Sequence, residues 1–129
     1  MNELEQFLGL PDVDTITEEV FVSERLGKFK VKAMSEAEYR EYQNKCKSRI
    51  KKGGMDFDTG KFNLLICAGQ VISPDFKNAE FLKKAGCATA TEFIQRKFKA
   101  GEIAELGNQI VKISGFETDI NEDKEEAKN

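Results

Sequence analysis

The chain contains no histidine and no tryptophan. Without histidine it lacks the usual proton shuttle near neutral pH and the commonest metal ligand. Ser–His and Cys–His catalytic pairs are therefore excluded outright, although carboxylates and lysines remain. Three cysteines, at 46, 67 and 87, stand too far apart for any CxxC pair, so neither a zinc site nor a dithiol redox motif is supported. An odd number of thiols on apolar faces reads as reduced, packed cysteine in a cytosolic protein. No apolar stretch approaches the roughly 20 residues that span a bilayer, and no basic segment followed by an apolar run suggests a signal peptide. The glycines never fall into a P-loop or GxGxxG spacing. No internal repeat is present.

Ten Phe and two Tyr can fill much of a core in a chain of 129 residues, about one ordinary domain. A core of that size leaves modest stability, to which a partner can contribute. Net charge is −3. The segment 117–129 carries six acids against Lys124 and Lys128, leaving 18 basic and 17 acidic residues before it. A body so near neutrality is not a general polyanion binder.

The pattern predicts an α+β fold, mainly α, with an N-terminal β-hairpin and a small bundle of four or five short helices. Residues 1–15 form an N-terminal arm, 16–116 a single folded domain (hairpin 18–34, helices 36–116), and 117–129 an acidic flexible tail. In the arm, "ELEQFLGL" reads equally as a short helix showing Leu4, Phe7 and Leu8 or as a frayed end before Gly9 and Pro11. Phe29, Val31 and Ala33 alternate with Lys28, Lys30 and Lys32, the period of a half-buried strand. Val20, Phe21 and Val22 supply its mate, Gly27 the turn, and Glu18 and Glu19 face the Lys row. A lone hairpin is rarely stable, so this one must lie on helices or pair with another chain.

Ser35 and Glu38 make a capping box for a helix running to Gly53-Gly54, with Tyr39, Tyr42, Cys46 and Ile50 on one face. Residues 61–72 give a buried helix with Phe62, Leu65, Ile66, Gly69 and Ile72 on one stripe, stopped by "SP". A short helix carrying Phe76, Ala79 and Leu82 ends at Gly86. Another carries Phe93, Ile94 and Phe98, with Thr89 or Thr91 as its cap. The last, "GEIAELGNQIVKISGF", has Ile103, Leu106, Ile110 and Ile113 on one stripe. Gly115 stands as its left-handed stop, and Phe116 is placed to fold back on Val111.

Asp56 and Asp58 resemble the start of a calcium loop, but Gly falls one position early and Cys67 stands where a bidentate Glu belongs. A turn and helix cap explain them better. The basic run 45–52 reads as a solvated helix end complementing the helix dipole rather than a phosphate-binding patch. The apolar stripes are core by default. The shortness of the helices leaves room for an open groove around Phe93, Ile94 and Phe98, and the stripe Ile103, Leu106 and Ile110 adjoins it as candidate partner-facing surface.

The order of these features resembles the XkdN-like tail assembly chaperones of phages and phage-like elements with contractile tails. "FVSERLGKFKVKAM" leads into "SEAEYREYQNKCKSR"; "KFNLLICAGQVISPDFKNAEFLKKAG" follows, and "TEFIQRKFKAGEIAELGNQIVKISGF" closes on Gly-Phe before the acidic tail. Two departures are a short hairpin turn at 25–28 and Lys99-Ala100 in place of a Leu-Pro approach. The resemblance implies a non-catalytic, cofactor-free cytoplasmic protein of the bacterial host cell. Such a protein binds the tape-measure protein, keeps it soluble and helps recruit tail-tube protein during tail morphogenesis. It implies absence from the mature particle and, in many relatives, a longer frameshifted form. Self-association is left open; nucleic acid and membrane are not expected partners. The competing readings are a minor structural tail or baseplate component and a small nucleic-acid-binding regulator.

Overall fold

The computed structural model describes residues 3–49 and 53–116. The predicted acidic tail and Ile50 lie outside them. A short helix α1 (Glu3–Leu8) and a 3-10 turn at Val13–Thr15 lead into an antiparallel pair, β1 (Thr17–Ser23) and β2 (Gly27–Lys32). Val20 lies opposite Phe29 in this pair, and both are buried. Lys28, opposite Phe21, and Lys30, opposite Glu19, face outward, as the alternation requires. A register shift between Phe21 and Ser23 marks a bulge beside the turn.

The next helix, α2 (Glu36–Cys46), starts on the reciprocal capping box: Glu38 N–H donates to the Ser35 hydroxyl and Ser35 N–H to the Glu38 carboxylate. It stops at Cys46 rather than running to the glycine pair. Lys47–Arg49 (β3) instead pairs antiparallel with Met55–Phe57 (β4). Asp58 N–H donates to Cys46 O and fixes the exit from this pair.

Helix α3 (Thr59–Gln70) begins on the Asp58 side chain, which accepts from Lys61 N–H at 2.9 Å. The aspartate pair is thus turn and cap chemistry: Asp56 Oδ1 accepts from Phe57 N–H. This helix also ends sooner than predicted. Val71–Ser73 is a third strand, β5, on the free side of β2, giving the sheet order β1-β2-β5. Val71 points into the core, while Ile72, read as part of the helical stripe, is 40% exposed. β-Branched Val71 and Ile72 suit the pleat, and β2 offers an unpaired edge that a further helical turn would have left open.

Helices α4 (Ala79–Ala85), α5 (Ala90–Lys97) and α6 (Ala100–Ile113) complete the elements of the described residues. Helix α6 packs on both the sheet and α3, and Leu106 and Ile110 are fully buried together with Ile66, Ile94 and Val31. Gln70, 1% exposed, accepts from the Tyr42 hydroxyl at 2.8 Å and donates to the carbonyls of Lys32 and Ala33. One polar side chain thereby joins α2, α3 and the end of β2, with its hydrogen-bonding atoms satisfied. The end of α6 is a Schellman closure: Gly115, at φ 98°, donates to Lys112 O and Phe116 N–H to Val111 O. The Phe116 ring then packs on Tyr39, with ring centroids 4.6 Å apart.

Candidate functional site

The largest aromatic cluster forms where α4 and α5 meet the turn end of the hairpin. Asn78 caps α4, and Gly86, left-handed at φ 72°, turns the chain back so that Thr89 can cap α5. This places Phe93 against Phe81 and Phe76, at centroid separations of 4.7 and 5.5 Å. Phe76 and Phe98 both meet Phe29 from the centre of β2, at 5.7 and 5.8 Å. Between them opens a groove of about 290 Å³ whose floor is Leu26, Phe29, Phe76, Phe93 and Phe98. Arg25, Lys97 and Pro74 form its rim.

The rim is fastened from below by Glu102, which is 8% exposed on the first turn of α6. Arg25 grips both its oxygens, with Nη2 2.8 Å from Oε1 and Nε 3.2 Å from Oε2. Lys99 N–H donates to Oε1 at 2.7 Å and the Ser23 hydroxyl to Oε2 at 2.8 Å. Arg25 also donates to Lys97 O, tying the hairpin turn to the end of α5. The Arg25 hydrogen bonds, then those from Lys99 and Ser23, hold the Glu102 carboxyl at a pKa of about 2 against the opposing effect of burial. A carboxylate held so low is a poor general base near neutral pH. Its work is positional: it sets where Arg25 and Lys97 stand beside the aromatic floor.

A second groove, about 510 Å³, runs between α3 and the α5–α6 junction, with Leu64, Ile103 and Ala104 beside the polar Lys61, Asn63 and Gln95. Gly107 permits close approach there: a Cβ at that position would stand 2.6 Å from Asn63 Oδ1.

The six residues proposed from stripe position are therefore divided. Phe93 and Phe98 line the aromatic groove, and Ile103 lines the second one. Ile94, Leu106 and Ile110 have no exposed surface and belong to the core in this conformation. The reason is geometric: α6 packs on both α3 and the sheet, which covers Leu106 and Ile110, and α5 packs on α3, which covers Ile94. Sequence reasoning missed Leu26, Phe29 and Phe76 as groove floor and Arg25 as rim. It also gave no weight to how open the arm is: Leu4, Phe7, Leu8 and Leu10 are 76%, 67%, 85% and 60% exposed.

Among the described residues no group of three His, Cys, Asp or Glu side chains is arranged to hold a metal ion. No described helix is long and apolar enough to cross a membrane. The cysteines are free and buried; burial pushes Cys67 up to about 12 and raises Cys46 as well, so both stay protonated near neutral pH.

Compared with known proteins, the fold is similar to the crystal structure of the protein yqbn, with a TM-score of 0.61 and 22% identity over 91% of this chain and 99% of that one. In sequence, the chain is 33% identical over 86 residues to the Phage-like element PBSX protein XkdN of Bacillus subtilis (strain 168). That match covers 66% of this chain and 55% of the relative, so the chain spans about half the length of the curated protein it matches. Residues 4–128 match the family described as Phage XkdN-like tail assembly chaperone protein, TAC. With nearly its whole length accounted for by that match, the chain belongs to the XkdN-like phage tail assembly chaperones.

Proposed function

We propose that the protein is a non-catalytic chaperone that binds the tape-measure protein in the cytoplasm of the host cell. In this reading it keeps that partner soluble and helps bring tail-tube subunits to it during assembly of a contractile tail. The observation that carries the reading is the aromatic groove floored by Leu26, Phe76 and Phe93 and rimmed by Arg25 and Lys97. An amphipathic helix offers apolar side chains at i, i+3 and i+4, and a groove of this kind takes one such row while the rim cations meet acids on its flank. Many copies along one long helical partner would gain by avidity, so each contact need not be strong.

Co-expression with the tape-measure protein tests this. Wild-type chain is expected to move the partner from the insoluble to the soluble fraction, and Leu26→Asp combined with Lys97→Glu to abolish most of that effect. A partner equally insoluble with and without the chain would refute the proposal. Stoichiometric recovery of the chain from purified particles would favour a structural tail component instead.

A further inference from the structure

We propose that the N-terminal arm of one copy seats in the aromatic groove of a second copy. The arm and the groove complement each other in apolar character and in charge. Helix α1 brings Leu4, Phe7 and Leu8 to one face at i, i+3 and i+4, and Leu10 continues the row. Side chains of this size at 60–85% exposure amount to an apolar patch of several hundred Å² by order of magnitude, the range in which patches mark interaction sites. The groove supplies the matching surface: an aromatic floor and no acid in its lining.

Charge is segregated in the same sense. Residues 1–24 hold seven acids and no Lys or Arg. Residues 25–116 hold eighteen basic and ten acidic residues, a net of +8. Glu3, Glu5, Asp12 and Asp14 thus travel with the apolar row, and the groove rim presents Lys97 and the clasped Arg25. Opposite charges would guide the arm to the groove and fix its direction, and the apolar row would hold it there.

The connector favours another copy over the arm's own groove. Asp12 to Ile16 is wound into the 3-10 turn, with Thr15 N–H donating to Asp12 O and Ile16 N–H to Val13 O. Ile16 O then accepts from Ala33 N–H, so the arm is tethered where Thr17 faces Lys32, at the far end of the hairpin from Arg25. Seven strand residues, about 20 Å, separate that tether from the Arg25 rim of the groove. This contact is independent of the tape-measure reading. It would keep two apolar surfaces covered in chaperone that has no partner, and it would yield to a partner helix competing for the same floor.

Sedimentation velocity on the chain alone tests it. Wild type is expected to show a mass rising above that of one 14.5 kDa chain as concentration increases. Phe7→Asp with Leu8→Asp, both at exposed positions, is expected to stay at one chain throughout with unchanged circular dichroism and Tm. Lys97→Glu is expected to weaken association at least tenfold, with recovery when Glu3→Lys and Glu5→Lys are added. Chains carrying Phe7→Cys, mixed with chains carrying Lys97→Cys, are expected to form a disulfide between copies. Three results would each overturn the proposal: one-chain mass at every concentration, association indifferent to the Phe7 and Leu8 changes, or no disulfide between the Phe7→Cys and Lys97→Cys chains.

Discussion

Gly69→Ala sets two opposing effects against each other at one position, and the structure says which wins. Gly69 lies in the last turn of α3, where exchanging glycine for alanine gains up to about 1 kcal/mol of helix propensity. The new Cβ, however, would stand 3.0 Å from Tyr42 Cζ and far inside contact distance of the Tyr42 hydroxyl. The ring must move, at an overpacking cost of about 1–3 kcal/mol. Moving it also takes the hydroxyl from Gln70 Oε1, leaving a buried acceptor without its donor at a further cost of about 1–3 kcal/mol. Combining these ranges gives a net loss of about 1–5 kcal/mol, centred near 3. In a chain of this length that centre corresponds to a Tm lowered by about 10 °C. Thermal unfolding followed at 222 nm reads it directly. The control is the same substitution in a Tyr42→Ala background, where the ring is gone and alanine should be neutral or slightly stabilising. A rise in Tm for Gly69→Ala alone, or an equal loss in both backgrounds, would refute the account of Tyr42 resting on Gly69.

Further predictions concern the clasp, the core and the thiols. Glu102 is held well below its ordinary value of 4.5, so its contribution to stability is fully present above about 4.5 and lost as pH falls through about 2. Glu102→Gln should therefore lower Tm at pH 7, with the gap to wild type closing between about pH 4.5 and pH 2; parallel curves through that window would remove the proton-linked role. Leu106→Ala, at a site with no exposed surface, should cost about 2–5 kcal/mol in urea unfolding, whereas Phe21→Ser at 54% exposure should stay within about 0.5 kcal/mol. Cys67, buried and pushed up to about 12, should react with thiol reagents at pH 8 only as fast as the chain unfolds. Labelling at the rate seen in denaturant would contradict its burial.

What could be read in advance was local. The Lys alternation gives β2, Ser35 and Glu38 give the start of α2, Gly86 with a threonine cap at 89 or 91 gives the α4–α5 turn, and Gly115-Phe116 gives the end of α6. Each device acts within about four residues, so its signal is complete in the sequence. The misread boundaries depended on distant partners. Val71–Ser73 is too short to show a period of two and becomes a strand because the edge of β2 is waiting for it. The early end of α2 depends likewise on pairing with β4. Gln70 and Glu102 look like ordinary helix polar residues; only the arrival of Tyr42 and of Arg25, 77 positions earlier than Glu102, makes their burial tolerable. Core and surface could not be separated along the stripes for the same reason. Stripe positions say which side chains are apolar, but the neighbours of α6 decide which of them remain at the surface.

The placement of α6 also has a consequence in time. It is the last described helix, yet Leu106 and Ile110 sit at the centre of the core. During synthesis the hairpin and α2 emerge first, and β5 can join β2 once residue 73 is available, but the apolar inner sides of both remain open until residues 100–113 leave the ribosome. Glu102, near the start of that final segment, then locks onto the hairpin turn made some 77 residues earlier. A nascent chain interrupted before α6 would therefore be an exposed, aggregation-prone fragment, its core closed only when residues 100–113 have emerged.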